Sequence, residues 1–189
     1  RNGAFRMSPM NPSKGSGANI YKNPQINSII NSFILSPPRN NSTIYNISMN
    51  AGKVIIYTDG GSRGNPGPAA VGVVIGDPST SLREYSEQIG ETTNNVAEYK
   101  AVLFALKKAK QLFGKDEVKD TNIEIRSDSE LLVNQLNGKY KIKNEDLQPL
   151  FIEIWNMKQD FAEVDFVQIP REKNQAADRL VNRALDILL

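Results

Sequence analysis

Four acidic residues of this chain stand where an acid is costly for packing and useful for chemistry. Asp59 follows Val54, Ile55, Ile56, Tyr57 and Thr58, a run that reads as a strand inside a sheet, and precedes Gly60 and Gly61. A carboxylate fixed at the end of such a strand destabilises the fold unless a cation meets it. The glycines beyond it would let a phosphate, a sugar or another backbone come close. Asp128 lies just past a second strand pattern at 122–126, and in α/β sheets ligands gather at the carboxyl ends of strands. Glu98 leads a helical face continued by Val102, Ala105 and Ala109, and Asp178 leads another through Val181 and Leu185. An acid on a core-facing stripe is out of place as packing and in place as a metal ligand.

Each acid also has an ordinary reading. Asp59 could cap a turn, Asp128 suits a helix start, and Glu98 and Asp178 gain from a helix N-terminus. Their conjunction asks for more. Four carboxylates at one sheet edge repel strongly where the dielectric is low, and two divalent cations would neutralise them. The chain has no His and no Cys, which excludes thiolate zinc sites and Cys-His or Ser-His-Asp catalysis. An oxygen-only ligand set points to Mg²⁺ or Mn²⁺ rather than zinc. Two such ions about 4 Å apart are a standard device for phosphodiester cleavage, one activating water and one stabilising the leaving oxygen.

The elements that must position these acids follow from the apolar periods. Strands are expected at 53–59, 69–75 and 82–89, the first two joined by a turn at 60–68 and the last two by a tight connection at 77–80. A long helix at 94–113 is expected to stop at Gly114. A strand at 122–126 follows, then a helix at 127–138 with Ser127 and Glu130 as a capping box. A helix at 144–161 should turn Leu147, Leu150, Phe151, Ile154 and Trp155 inward. A strand at 164–169, a polar loop at 170–174 and a helix at 175–188 complete the chain. The order β-β-β-α-β-α-α-β-α implies a mixed five-stranded sheet, three antiparallel strands then two parallel, with helices on its faces. If the first and fourth strands are parallel neighbours, Asp59 and Asp128 sit side by side.

Charge divides the chain. Residues 1–52 hold five cations (Arg1, Arg6, Lys14, Lys22 and Arg39) and no acid, so the remaining 18 cations face all 21 acids. The balance of −3 beyond residue 52 makes the pI of 8.7 a property of the first segment and not of a basic nucleic-acid-binding domain. Residues 1–52 are rich in Asn, Ser and Pro and read as a disordered or weakly structured extension, with 53–189 as the folded domain. Within the extension Ile26, Ile29, Ile30, Phe33 and Ile34 have helical spacing. A flexible extension upstream of a start at Met49, a short docking helix and a targeting peptide all fit it. No apolar run approaches the ~18 residues needed to cross a bilayer, and no membrane partner is expected.

Four blocks of the sequence, YTDGGSRGNPGPAAVGVVI, TTNNVAEYKAVLFAL, IRSDSELLVNQLNG and REKNQAADRLVNRAL, resemble the signature blocks of type 1 ribonuclease H. The resemblance spans 53–189, and four ordered blocks make it specific. It implies a ribonuclease H-like fold and a cytoplasmic, monomeric endonuclease without an obligatory protein partner, using two Mg²⁺ (or Mn²⁺) per site. Such an enzyme cuts the RNA strand of an RNA–DNA hybrid and leaves a 3′-hydroxyl and a 5′-phosphate. It implies that Asp59 bridges both metals, that Glu98 and Asp128 complete the leaving-group side, and that Asp178 holds the ion that activates water. Asn65, Asn94 and Asn95 match positions that contact substrate, Gly60 offers backbone to the RNA sugar, and Thr93 falls where the family grips a DNA phosphate. Short amides and bare backbone can reach 2′-hydroxyls, by which RNA is told from DNA.

The chain departs from the family pattern at four places. Arg171 stands nearest the position of a loop His, and a guanidinium cannot cycle as a general base; it could still steer a phosphate. Glu130 replaces a frequent substrate-contacting Gln, and Val96 replaces an Arg near the DNA phosphate pocket. The 138–146 segment is short, with Lys139, Lys141 and Lys143 in place of a basic handle helix. Two rival classes remain: a non-catalytic nucleic-acid-binding module on the same fold, and an actin-like or sugar-kinase ATPase, which would need two such halves.

Overall fold

In the computed structural model, residues 49–50, 53–76 and 83–187 are described. The readings of residues 1–48, the Ile26 to Ile34 pattern included, and of the connection at 77–80 lie outside the described residues. The strands are β1 (Met49–Asn50), β2 (Lys53–Ser62), β3 (Gly67–Ile75), β4 (Arg83–Thr92), β5 (Asn122–Ser127) and β6 (Glu163–Gln168). The helices are α1 (Asn94–Glu117), α2 (Glu130–Leu136), α3 (Gln148–Lys158) and α4 (Gln175–Asp186).

The sheet runs β4-β3-β2-β5-β6, and β1 folds back on the start of β2. β2–β3 and β3–β4 are antiparallel, while β2–β5 and β5–β6 are parallel. This is the expected mixed sheet, with the two-residue β1 added. Val102, Ala105, Leu106 and Ala109 of α1 are fully buried, packed on Val54, Ile56, Val73 and Ile75 of one sheet face. Val181, Ala184 and Leu185 of α4 cover the other face against Ala70. The inward residues of both helices are those that the 3.6-residue period selects.

Four expectations are corrected. The first strand does not end at Asp59, and the turn is shorter than 60–68. β2 loses its parallel partner after Tyr57 (paired with Arg126), but its antiparallel pairing with β3 continues through Asp59 opposite Gly72 to Ser62 opposite Ala69. Asp59 is thus held on one side and lies past its neighbour's last paired residue on the other. In α1, Gly114 leaves the helical region at φ 78° and ψ 177°, yet another turn continues to Glu117.

Ser127 does not cap α2. β5 extends to pair Ser127 with Gln168, which keeps Ser127 in the sheet. The cap is Ser129, whose hydroxyl accepts the Leu132 N–H at 3.3 Å. Glu130 forms no capping box with Ser127; its carboxylate accepts from the Tyr140 hydroxyl at 3.1 Å. Finally, α3 is shorter than 144–161, and Trp155 is 51% exposed while Leu147 and Ile154 are buried. One residue beyond Ile154, Trp155 sits about 100° round the helix, off the inward stripe, where it stacks on Phe151 with ring centroids 6.5 Å apart.

Candidate active site

Two missing side chains bring the acids together. Residues paired across an antiparallel ladder share a face, so Asp59 and Gly72 face α4 while Gly60 faces α1. A Cβ on Gly60 would lie 2.2 Å from the main chain of Ala97, and one on Gly72 would lie 2.4 Å from the carbonyl oxygen of Ala177. The bare strands therefore let both helices close on the β2–β3 pair at the level of Asp59. Glu98 is the residue after Ala97, and Asp178 is the residue after Ala177. Asp128 follows the last residue of β5, the parallel neighbour of β2.

Asp59, Glu98, Asp128 and Asp178 line one pocket of about 320 Å³, together with Gly60, Asn94 and Arg171. Glu98 accepts from the Ser129 hydroxyl at 2.6 Å and from Asn94 Nδ2 at 3.0 Å. Asp128 accepts from Asn174 Nδ2 at 2.6 Å. Asp178 accepts from Asn182 Nδ2 at 3.1 Å and faces an Arg171 nitrogen at 3.5 Å. Burial pushes the Asp59 carboxyl up to about 6, and the charges of Asp128 and Asp178 add to the shift. Burial likewise pushes Glu98 up to about 7, the Ser129 hydrogen bond opposing it and the charges of Asp59 and Asp128 reinforcing it.

The donor set suits a hard cation. All four acids offer oxygen, and Arg171, 79% exposed at its side chain, is a weak counter-charge. Among the described residues no three acids are gathered tightly enough to form a closed ligand cage. An open, acid-lined pocket whose charged forms are disfavoured by burial and mutual repulsion fits divalent ions bound with water and substrate oxygens.

The other expected site residues divide. Gly60, Asn94 and Arg171 line the pocket, whereas Asn65, Thr93, Asn95 and Glu130 do not. Thr93 is the N-cap of α1, its hydroxyl accepting the Val96 N–H at 3.4 Å. Asn94 and Asn95 are therefore the first helical residues. Asn65 Oδ1 accepts the Asn94 N–H at 3.1 Å, tying the β2–β3 turn to the start of α1. The sequence reading missed Ser129, Asn174 and Asn182. Their only sequence signal is a cap-forming residue type at a helix boundary, or, for Asn182, the four-residue spacing from Asp178.

A family described as "Reverse transcriptase-like" matches residues 57–184. A bifunctional protein of Mycobacterium tuberculosis is 41% identical over 136 residues, which is 71% of this chain and 36% of that protein. Ribonuclease HI of Halobacterium salinarum is 40% identical over 136 residues, covering 71% of this chain and 65% of the relative. This chain thus spans about a third of the mycobacterial relative and under two thirds of the haloarchaeal one. The crystal structure of LC11-RNase H1 in complex with an RNA/DNA hybrid superposes with a TM-score of 0.67 at 50% identity, covering 72% of this chain and 99% of that one. The sequence blocks, the strand order and these likenesses agree, and the chain belongs to the type 1 ribonuclease H family.

Proposed function

We propose that this chain is a divalent-metal-dependent endonuclease that hydrolyses the RNA strand of RNA–DNA hybrids, giving 3′-hydroxyl and 5′-phosphate ends. The observation that carries the proposal is the set of four carboxylates, from three secondary-structure elements and the end of a fourth, lining one pocket in a chain without His or Cys. The 50% identity to a ribonuclease H1 with a hybrid in its structure supports the same substrate class. Mg²⁺ is the expected ion, two per site, with Mn²⁺ as a substitute; bound there, it would supply Lewis acidity to the attacking water and the leaving oxygen.

The chain's own residues would hold and orient. Asp59, on the central strand β2, and Asp128, past the neighbouring strand, are the central ligands; Glu98 and Asp178 close the site from α1 and α4. The Ser129 and Asn94 hydrogen bonds fix both oxygens of Glu98. With no imidazole available, Arg171 acts by charge on a phosphate and not by proton transfer. Gly60, Asn65, Asn94 and Asn95 are proposed to meet the RNA strand, and Thr93 a DNA phosphate; Glu130 is the weakest substrate contact, because it is engaged by Tyr140.

Residues 53–189 would form the catalytic domain and 1–52 an extension, the enzyme acting as a cytoplasmic monomer without an obligatory partner. No helix among the described residues is long and apolar enough to cross a membrane. Incubation with an end-labelled hybrid tests the proposal. RNA cleavage in Mg²⁺ that stops with EDTA supports it, and hybrid binding without cleavage would favour a non-catalytic module.

A further inference from the structure

Asn174 is 1% exposed and precedes the first residue of α4. Its Nδ2 donates to Asp128 Oδ1 at 2.6 Å and to the Thr58 carbonyl oxygen at 3.0 Å. Both partners are acceptors, so the amide has one admissible orientation; flipped, it would set an oxygen against each of them. Its main-chain carbonyl oxygen accepts the Asp178 N–H at 3.1 Å. One residue therefore touches the side chain of Asp128, the residue before Asp59, and the backbone of Asp178.

The arrangement is not one that stability alone selects. Asn174 Oδ1 is buried without a protein partner, and an unmet buried acceptor destabilises a fold. What the amide provides is one hydrogen bond to the Asp128 carboxylate and one to the main chain just before Asp59. Asp59 and Asp128 line one pocket, where their like charges repel. A carboxylate under that repulsion would turn outward unless one oxygen were held.

We propose that Asn174 is a positioning residue: it holds Asp128 in register with Asp59 and Asp178 and so sets the affinity of the four acids for divalent cations. The inference rests on the metal-dependent reading above. Residues that orient metal ligands typically change metal affinity by about 10–100-fold when removed.

The test is a titration of the full chain with Mg²⁺ alone, followed by backbone amide shifts. Wild type is compared with Asn174→Ala and with Asn174→Ser, which keeps a favoured helix-cap residue but cannot reach Asp128. The expected result is saturable binding by wild type and an apparent Kd raised about 10–100-fold in both variants. With Mg²⁺ raised to saturation, the KM for hybrid should stay within about twofold of wild type and kcat should recover toward it, a recovery that a misfolded fraction would not give. Equal Mg²⁺ affinity in folded variants and wild type overturns the inference and leaves the metal reading standing. Affinity lost only in proportion to the unfolded fraction also overturns it. A wild-type chain that takes up no Mg²⁺ overturns the metal reading itself and the inference with it.

Discussion

The Ser129 hydroxyl donates to Glu98 Oε2 at 2.6 Å while accepting the Leu132 N–H at 3.3 Å. A single side chain thus caps α2 and restrains an acid of the neighbouring helix α1. Removing it should be felt twice. Ser129→Ala is expected to lose about 1 kcal/mol of stability, the usual worth of an N-cap. It should also lower kcat for hybrid cleavage, because Glu98 is then free to leave its position. Thermal melting and steady-state kinetics at saturating Mg²⁺ check the two effects separately.

The acid cluster gives the metal-free fold an unusual pH dependence. Asp59 is raised to about 6 and Glu98 to about 7, both above their unfolded values. A carboxyl raised on folding opposes folding fully above its folded value, and the penalty vanishes below its unfolded value. Each group contributes on the order of 2 to 3 kcal/mol. The protein in EDTA should therefore melt higher near pH 5 than near pH 8. A melting temperature that falls steadily from pH 8 to pH 5 would contradict the burial and repulsion ascribed to these two residues.

Gly60 and Gly72 carry a steric prediction. A methyl on either would strike main-chain atoms of α1 or α4 at 2.2 or 2.4 Å, and no side-chain rotation relieves a backbone clash. Gly60→Ala and Gly72→Ala should each cost more than about 3 kcal/mol, read as loss of cooperative unfolding or a steep fall in melting temperature. Gly90, whose added Cβ would meet nothing within 4 Å, is the control for space, although its φ of 77° still disfavours a side chain.

The far end of α4 is held by side chains. Gln88 Nε2 donates to the Ala184 carbonyl at 2.8 Å, and Arg63 reaches the Leu185 carbonyl and pairs with Asp186. Last-turn carbonyls have no helical partner of their own. Gln88→Ala is expected to cost about 0.5–1.5 kcal/mol and leave hybrid cleavage intact, since Gln88 lies outside the pocket. Chemical denaturation measures the first effect, and an unchanged kcat/KM the second.

The gathering of the four acids in one pocket was legible in the sequence because each stands at the end of a strand pattern or at the head of an apolar helical face, and such patterns are local. Helical spacing placed Glu98 and Asp178 on buried faces, and burial of Val102, Ala105, Val181 and Leu185 agrees. Strand ends were harder. Periodicity shows that residues near Asp59 are extended, but not that one neighbour stops at Tyr57 while the other continues to Ser62. Ser129 and Asn174 were invisible for another reason. Each looks like an ordinary cap, and only the fold brings Asn174 onto Asp128, 46 residues earlier in the chain. Trp155 was misplaced because apolar character alone does not say which side of a helical stripe meets solvent.

Asp59→Asn tests the central claim most directly. The amide keeps the size of the carboxylate, removes the charge from the middle of the cluster, and takes away the ligand proposed to be shared. Cleavage of a labelled RNA–DNA hybrid in Mg²⁺ should fall by at least about a thousandfold, while the metal-free variant melts at or above the wild-type temperature. Wild-type cleavage by folded Asp59→Asn would contradict the account.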